Sequence, residues 1–278
     1  MKPILKWAGG KSGLLSEILP RLPETFNDYY EPFLGGGAVF FALADTGRFK
    51  RAFLGESNAE LMLTYQTLAR KPEKVIEALR GLTAEHSEKF FYSVRGRQVA
   101  DRILGVDVIV LAARLIYLNK TCFNGLYRVN KKGEFNVPFG DYVNPPICDE
   151  EALRAAALVL KKDVDMGACD FEECVRTAKR GDAVYMDPPY VPLSSTSNFT
   201  AYSKSGFSLE DHERLRNCAE KLVARGVHVL LSNADTPFVR ELYEGFLIEE
   251  VQARRAINSN GGKRGKVGEL LIRAKGNW

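Results

Sequence analysis

The tetrapeptide Asp187-Pro188-Pro189-Tyr190 closes a run of strand-forming residues, "DAVYMD", and sets a carboxylate, two stiff backbone units and an aromatic face in succession. Pro188 fixes its own φ and keeps Asp187 extended, and Pro189 does the same to Pro188. Their carbonyls are then held outward instead of entering a helix. A carboxylate beside a rigid carbonyl forms a two-acceptor grip that matches the two hydrogens of an –NH2 group. Tyr190 adds a flat face on which a heteroaromatic ring stacks. An exocyclic amine is a poor nucleophile because its lone pair is delocalised into its ring. Accepting both hydrogens favours a more tetrahedral nitrogen, able to attack an electrophilic methyl group. If that methyl sits on a sulfonium it is already activated, and positioning and electrostatics carry the step without a metal or a covalent nucleophile.

A second group of residues points to the donor. "EPFLGGGAVF" follows a strand-like run and opens a helix-like one. Gly35 and Gly37 allow a sharp turn and close approach of the backbone to a ligand, and a helix N-terminus favours polar ligand atoms. Glu56 ends the next strand in "AFLGESN", the position from which an acid grips ribose hydroxyls. A dinucleotide site needs a third glycine three residues after the second, where Phe40 stands. No pyrophosphate cradle is evident either. A nucleoside without phosphates fits better, and S-adenosylmethionine is such a ligand.

These residues need an open α/β sheet to carry them. Strand-like runs at 29–33, 51–56, 182–187 and 227–233 alternate with helical patterns at Ala38–Ala44, Ala59–Arg70 and Leu209–Arg225, which predicts parallel strands. The runs 246–253 and 268–274 have no helix between them, so the last pair is expected to be antiparallel. Ligands in such sheets sit beyond the strands' C-terminal ends, where strand order reverses. The alternation breaks near Asn58. Helical patterns follow, including a buried one at 104–118, and then a long loop, "NKTCFNGLYRVNKKGEFNVPFGDYVNPP". Unstructured loops of that length are usually functional. The expected division is a catalytic part at 1–58 and 147–278 and a mainly helical insertion at 59–146.

Composition narrows the class. The chain has 278 residues, 45% hydrophobic, and a net charge of +4, enough for a full core and compatible with a polyanionic partner. Five cysteines without a C-x-x-C pair and three scattered histidines argue against a disulfide framework or structural zinc, and for a reducing cytoplasm. No run is long and apolar enough to span a bilayer, and the N-terminus lacks a signal-peptide core. A soluble protein without metal or membrane attachment is expected.

"LKWAGGK", "FLGGG" and "DPPY", in that order, together with "LNKTCFNGLYRVNKKGEFNVPFG", "PLSSTSNFTAY", "LLSNADT" and "RRAINSNGGKRGKV", resemble the Dam-type DNA adenine-N6 methyltransferases, the alpha-ordered amino methyltransferases. The resemblance covers nearly the whole chain. It implies a Rossmann-like sheet that binds S-adenosylmethionine and releases S-adenosylhomocysteine, and that takes adenine flipped out of duplex DNA. It assigns the cofactor to Trp7, Lys11, Phe33, Gly35, Gly37, Glu56 and Asp187, and the amine grip to Asp187, Pro188 and Tyr190. Glu56 replaces the family's aspartate, and the extra methylene still reaches both hydroxyls.

The insertion resembles the family's target-recognition part. An aromatic that inserts between bases corresponds to Phe123, in place of a tyrosine, with Asn124 beside it. Arg128 corresponds to a reader of a guanine edge, Leu126 and Pro138 to positions near thymine contacts, and Lys6 to a reader of the outermost guanine. The implied target is GATC. A bidentate arginine on guanine gives roughly 1–3 kcal/mol of discrimination, and an inserted aromatic offsets part of the cost of unstacking a base.

Two further segments complete the expectation. The basic run Arg254, Arg255, Lys263, Arg264 and Lys266 suits DNA phosphates, and "PLSSTSNFTAY" suits a lid over the flipped base. The whole reads as a monomer acting on double-stranded DNA near the nucleoid. Two alternatives stay open. The same grip fits cytosine N4, and a DNA-binding regulator that has lost catalysis would keep the basic surfaces.

Overall fold

The computed structural model describes residues 1–96, 107–191, 207–254 and 266–275. The strands are β1 (Asp28–Glu31), β2 (Arg51–Gly55), β3 (Val164–Gly167), β4 (Ala183–Met186), β5 (His228–Ala234), β6 (Leu247–Arg254) and β7 (Lys266–Arg273). Among the described residues they form one seven-stranded sheet in the order β3-β2-β1-β4-β5-β7-β6. The pairs from β3 to β5 are parallel. The β6–β7 pair is antiparallel, as the missing helix between those runs predicts, and β5–β7 is antiparallel as well.

Central strands of a parallel sheet are covered on both faces and so read as near-continuous apolar runs. Every residue of β1 and of β4 is buried. Alternation along the strands assigns the faces. Tyr29, Ala183, Tyr185 and Leu230 belong to one buried cluster, and Tyr30, Val184, Met186, Val229 and Leu231 to the other.

β3 is absent from the expected strands. It is a four-residue edge strand of half-buried and exposed residues, with Asp165 interrupting its apolar pattern. Without the sheet beside it, that segment carries too little pattern to register.

The helices used here are α1 (Ala38–Ala44), α2 (Ala59–Arg70), α3 (Pro72–Ala84), α4 (Glu88–Gly96), α5 (Val108–Thr121), α6 (Glu150–Lys161) and α7 (Leu209–Ala224). Side-chain caps start several of them: Asn58 for α2, Asp107 for α5, Asp149 for α6, and a Ser208–Asp211 capping box for α7. The buried helix expected at 104–118 is α5, shifted to start after its Asp107 cap. α2 packs on both α5 and α6, and α3 on α5. Ala52 and Leu54 of β2, Leu61 and Tyr65 of α2 and Leu115 of α5 share one apolar cluster. The helical segment after Asn58 is therefore continuous with the core of the sheet.

β1 and β4 are neighbours although β2 and β3 lie between them in sequence, so strand order reverses there. Glu31 and Asp187 stand at the carboxyl ends of these two strands, at the mouth of the expected ligand crevice. No helix among the described residues is long and apolar enough to cross a membrane. None of their His, Cys, Asp and Glu side chains form a group of three or more able to hold a metal ion.

Candidate active site

Asp187 follows directly on the last residue of β4, at the strand's carboxyl end. Lys11 Nζ lies 2.8 Å from Asp187 Oδ2 and also donates to the Gly9 carbonyl. Lys11 is only 5% exposed, and this pairing with a carboxylate compensates for burying its ammonium. Ser232 Oγ donates to Asp187 Oδ1 at 2.8 Å, and the Tyr185 hydroxyl lies 2.9 Å from Ser232 Oγ. Both oxygens of the carboxylate are thus oriented before any substrate arrives.

The same ammonium stands 4.7 Å from the centroid of the Tyr190 ring. One N–H donor group thus contacts both the carboxylate and the aromatic ring, the type of atom the grip is suited to hold. Tyr190 is fixed at its far end, where its hydroxyl donates to Glu269 Oε2 at 2.7 Å. Burial, and behind it the charge of Asp187, pushes the Tyr190 phenol well above its ordinary range, so the hydroxyl keeps its proton and stays a donor.

Glu31, at the end of β1, is 2% exposed and accepts from the Tyr29 hydroxyl at 2.8 Å. Burial, reinforced by the Asp187 charge, pushes its carboxyl up to about 8. One wall of the crevice is therefore a neutral acid at pH 7, while the adjoining wall is a carboxylate paired with an ammonium.

The glycine loop follows Glu31. Gly35 (φ +48°) and Gly37 (φ +69°) both take left-handed backbone that disfavours a side chain. A Cβ on Gly35 would also lie 2.9 Å from Trp7 Cδ1, so Trp7 closes the loop from outside. Glu56 sits just past β2. Its Oε2 accepts from the Gly35 N–H and its Oε1 from the Asn58 N–H, both at 2.9 Å. Tyr65 supports the loop from α2, donating to the Gly35 carbonyl at 3.1 Å. Phe33 stacks on Phe171 at 5.6 Å and meets Phe207 edge-on. Trp7, Lys11, Phe33, Gly35, Gly37, Glu56 and Asp187 thus converge at one sheet edge.

The expected DNA-contacting residues gather beside this edge, at the end of α5. Phe123 opens a short turn, its N–H donating to the Pro138 carbonyl at 2.9 Å, and its ring is 45% exposed. Asn124 (φ +56°) and Gly125 (φ +64°) make the turn left-handed. Leu126 packs back on the core. Arg128 is exposed, and its Nε donates to Asn136 Oδ1 at 2.7 Å across an antiparallel bridge between Val129 and Phe135. The long loop is thus drawn together by local bridges. Asn136, which aims Arg128, carries no signal in the sequence beyond its place in that loop.

Lys6 joins the two groups. The buried Asn119 side chain accepts from the Lys6 N–H at 3.0 Å and donates to the Lys6 carbonyl at 2.7 Å and the Gly125 carbonyl at 3.1 Å. Trp7 stacks on Tyr127 at 5.0 Å, and Tyr127 donates to Glu60, which is paired with the buried Arg114. Trp7 therefore touches the glycine loop on one side and Tyr127, in the loop after α5, on the other. Sequence reasoning missed Asn119, Ser232 and Glu269, polar residues beside apolar runs whose role depends on strand and helix pairing. The lid expected at "PLSSTSNFTAY" and most of the basic run, 255–265, lie outside the described residues.

Comparison with known proteins gives a consistent result. The model of the D12 class N6 adenine-specific DNA methyltransferases matches residues 7–257. A type II methyltransferase of Lactococcus lactis subsp. cremoris is 41% identical over 100% of this chain and 96% of its own length. A type II methyltransferase of Methanocaldococcus jannaschii is 43% identical over 98% of each chain. The DNA adenine methylase of Escherichia coli K12 is 37% identical over 97% of this chain and 94% of its own.

Proposed function

Because the chain belongs to the D12 class N6 adenine-specific DNA methyltransferases, we propose that it flips adenine from duplex GATC sites and methylates N6 with S-adenosylmethionine as donor. The observation that carries this reading is the Lys11–Asp187–Tyr190 constellation, in which one N–H donor group already contacts both carboxylate and aromatic ring.

The residues present suit that donor. Glu56, just past β2, supplies a carboxylate for two ribose hydroxyls, and it is tied to the glycine loop through the Gly35 N–H. Lys11 is a cation for the carboxylate of a methionine moiety, and Phe33 and Trp7 offer apolar faces. When bound, S-adenosylmethionine supplies a methyl group activated by its sulfonium. Asp187 and the Pro188 carbonyl hold the amine's hydrogens, Tyr190 stacks the base, and the adjoining buried groups keep bulk water from the carboxylate.

The segment 59–146 is the target-recognition part of this proposal. Phe123 wedges between bases, Arg128 and Lys6 read guanine edges, Leu126 and Pro138 border the thymine methyl groups, and Asn124 shapes the turn. GATC rests on the resemblance of this loop to Dam-type enzymes. The same reading makes the protein a cytoplasmic monomer acting at the nucleoid.

The test is transfer of labelled methyl from S-adenosylmethionine to a GATC duplex, beside duplexes altered one base pair at a time. Label on the GATC adenine alone is expected. Label on adenine in another sequence would overturn the target and keep the chemistry. No transfer to any duplex, with DNA bound, would overturn the role of the constellation.

A further inference from the structure

We infer that Glu269 is a positioning residue for methyl transfer, acting through the Tyr190 hydroxyl to fix the plane of the ring on which the target base stacks. The inference rests on the proposed role of Tyr190 and extends the site to a strand that neither the tetrapeptide nor the glycine loop includes.

The geometry is specific. Tyr190 lies in an irregular segment after β4, past two prolines, and Val191 is the last residue described there. A ring in such a segment keeps freedom about its Cα–Cβ and Cβ–Cγ bonds unless something holds its far end. Glu269 does so, accepting the hydroxyl proton at 2.7 Å, the short distance of a charge-assisted bond. Its own placement is rigid. It lies on β7, opposite Ala234 of β5 on one side and Val251 of β6 on the other, so ladders on both flanks fix its backbone. The hydroxyl is in turn a committed donor, since burial keeps the phenol protonated.

A second consequence concerns charge. As the amine's lone pair forms the new N–C bond, the methyl's bond to the donor's sulfur breaks and its electron pair stays on sulfur; the nitrogen gains positive charge and becomes neutral again when it passes a proton to water. An aromatic face attracts such a cation, and Lys11 already places an ammonium 4.7 Å from this ring's centroid. A hydroxyl bonded to a carboxylate makes the ring more electron-rich and that attraction stronger. Glu269 therefore serves both alignment and the charge that develops on the amine. The adjoining contact follows the same plan: Ser232, on β5, holds Asp187 Oδ1 as Glu269 holds Tyr190. Asp187 is thus anchored from β5 and Tyr190 from β7.

The experiment compares Glu269→Gln, Glu269→Ala, Tyr190→Phe, Tyr190→Ala and the Tyr190→Phe/Glu269→Ala double variant in the full chain. Single-turnover methylation of a GATC duplex is measured beside KM for duplex and donor. Fluorescence of 2-aminopurine placed at the target position is read in complexes that cannot transfer. Glu269→Ala and Tyr190→Phe are each expected to lower kcat on the order of tenfold with KM unchanged, and the double variant to be no worse. Glu269→Gln, which still accepts the hydroxyl proton, should recover much of the loss. The 2-aminopurine signal should shift equally in Glu269→Ala and Tyr190→Phe. Full kcat in Glu269→Ala beside a Tyr190→Ala variant that has lost turnover would overturn this inference alone, as would additive losses or a loss confined to KM. Full turnover in Tyr190→Ala would instead overturn the role of Tyr190 on which the inference rests.

Discussion

The crevice around Asp187 and the loop after α5, proposed to read the DNA, lie side by side yet are built on opposite plans. In the crevice, four polar contacts of 2.7 to 2.9 Å join Lys11, Asp187, Ser232 and Tyr185 in one chain and Tyr190 to Glu269, and the Lys11 ammonium, 4.7 Å from the Tyr190 ring, links the two. The loop instead holds Lys6, Phe123 and Arg128 out to solvent, with Arg128 steadied by Asn136. Groups that must stabilise a developing charge gain from being oriented and dry beforehand. Groups that read a base edge have their final partner on the DNA, and remain hydrated until it arrives. The crevice should therefore govern rate and the loop discrimination.

The sharpest way to break that division is at Asp187. Asp187→Ala removes one of the two acceptors and leaves the Lys11 ammonium buried without its carboxylate, a costly arrangement. Turnover should fall by more than about a thousandfold, comparable to or beyond the loss of one oxyanion donor. Affinity for duplex DNA should stay within a few-fold of the parent. Single-turnover transfer and a binding titration check both, and Asp187→Asn gives the same test with the side chain's volume kept. Residual turnover within tenfold of the parent would show that the carboxylate does not carry the chemistry.

A second, smaller effect belongs to the crevice alone. Glu31 stays protonated in the folded protein up to about pH 8, because burial outweighs the Tyr29 hydrogen bond and the Asp187 charge adds to it. Its folded value therefore lies above the ordinary 4.5 that it regains on unfolding. Between those values unfolding releases a proton. The stability tied to Glu31 is fully present below pH 4.5 and is lost as pH rises toward 8. At roughly 1.4 kcal/mol per pH unit, the wild type should lose a few kcal/mol relative to Glu31→Gln across that window. Denaturant unfolding of both proteins at pH 5 and pH 8 measures it, and a constant difference between them would show that Glu31 is ionised when folded.

The same contrast explains what the sequence made legible. The crevice's principal residues lie in contiguous stretches, "LKWAGGK", "EPFLGGG" and "DPPY", where prolines, glycines and strand ends act on their immediate neighbours. α1 and α2 were readable to the residue because their boundaries coincide with Gly37 and Asn58. β3 and the supporting residues were not. Ser232 and Glu269 look like polar residues beside apolar runs until β5 and β7 pair and bring them against Asp187 and Tyr190. Asn119 reads as a helix-end polar residue, yet its partners are Lys6, 113 positions away, and Gly125. Local chemistry is written in adjacent residues, whereas its second layer of support depends on which strands and helices become neighbours.

The smallest of these effects lies in the reading loop. Arg128→Ala should leave the crevice intact, because Arg128 is exposed and its contacts run to Asn136 within the same loop. Loss of a bidentate arginine–guanine contact costs about 1–3 kcal/mol of discrimination at one base pair. The proposed preference for GATC over a duplex altered at that pair should therefore shrink by roughly 5- to 150-fold, while preferences at the other pairs persist. Asn136→Ala, which removes the group steadying the guanidinium, should have a lesser effect of the same pattern. The check is kcat/KM on GATC and on duplexes altered singly at each position, with thermal unfolding measured alongside. A uniform loss over all duplexes, with a shallower salt dependence, would make Arg128 a phosphate contact. Reading would then fall to Lys6 and the neighbours of Phe123. Unequal loss at one base pair, with unfolding unchanged, would place discrimination in the exposed loop and leave rate to the buried crevice.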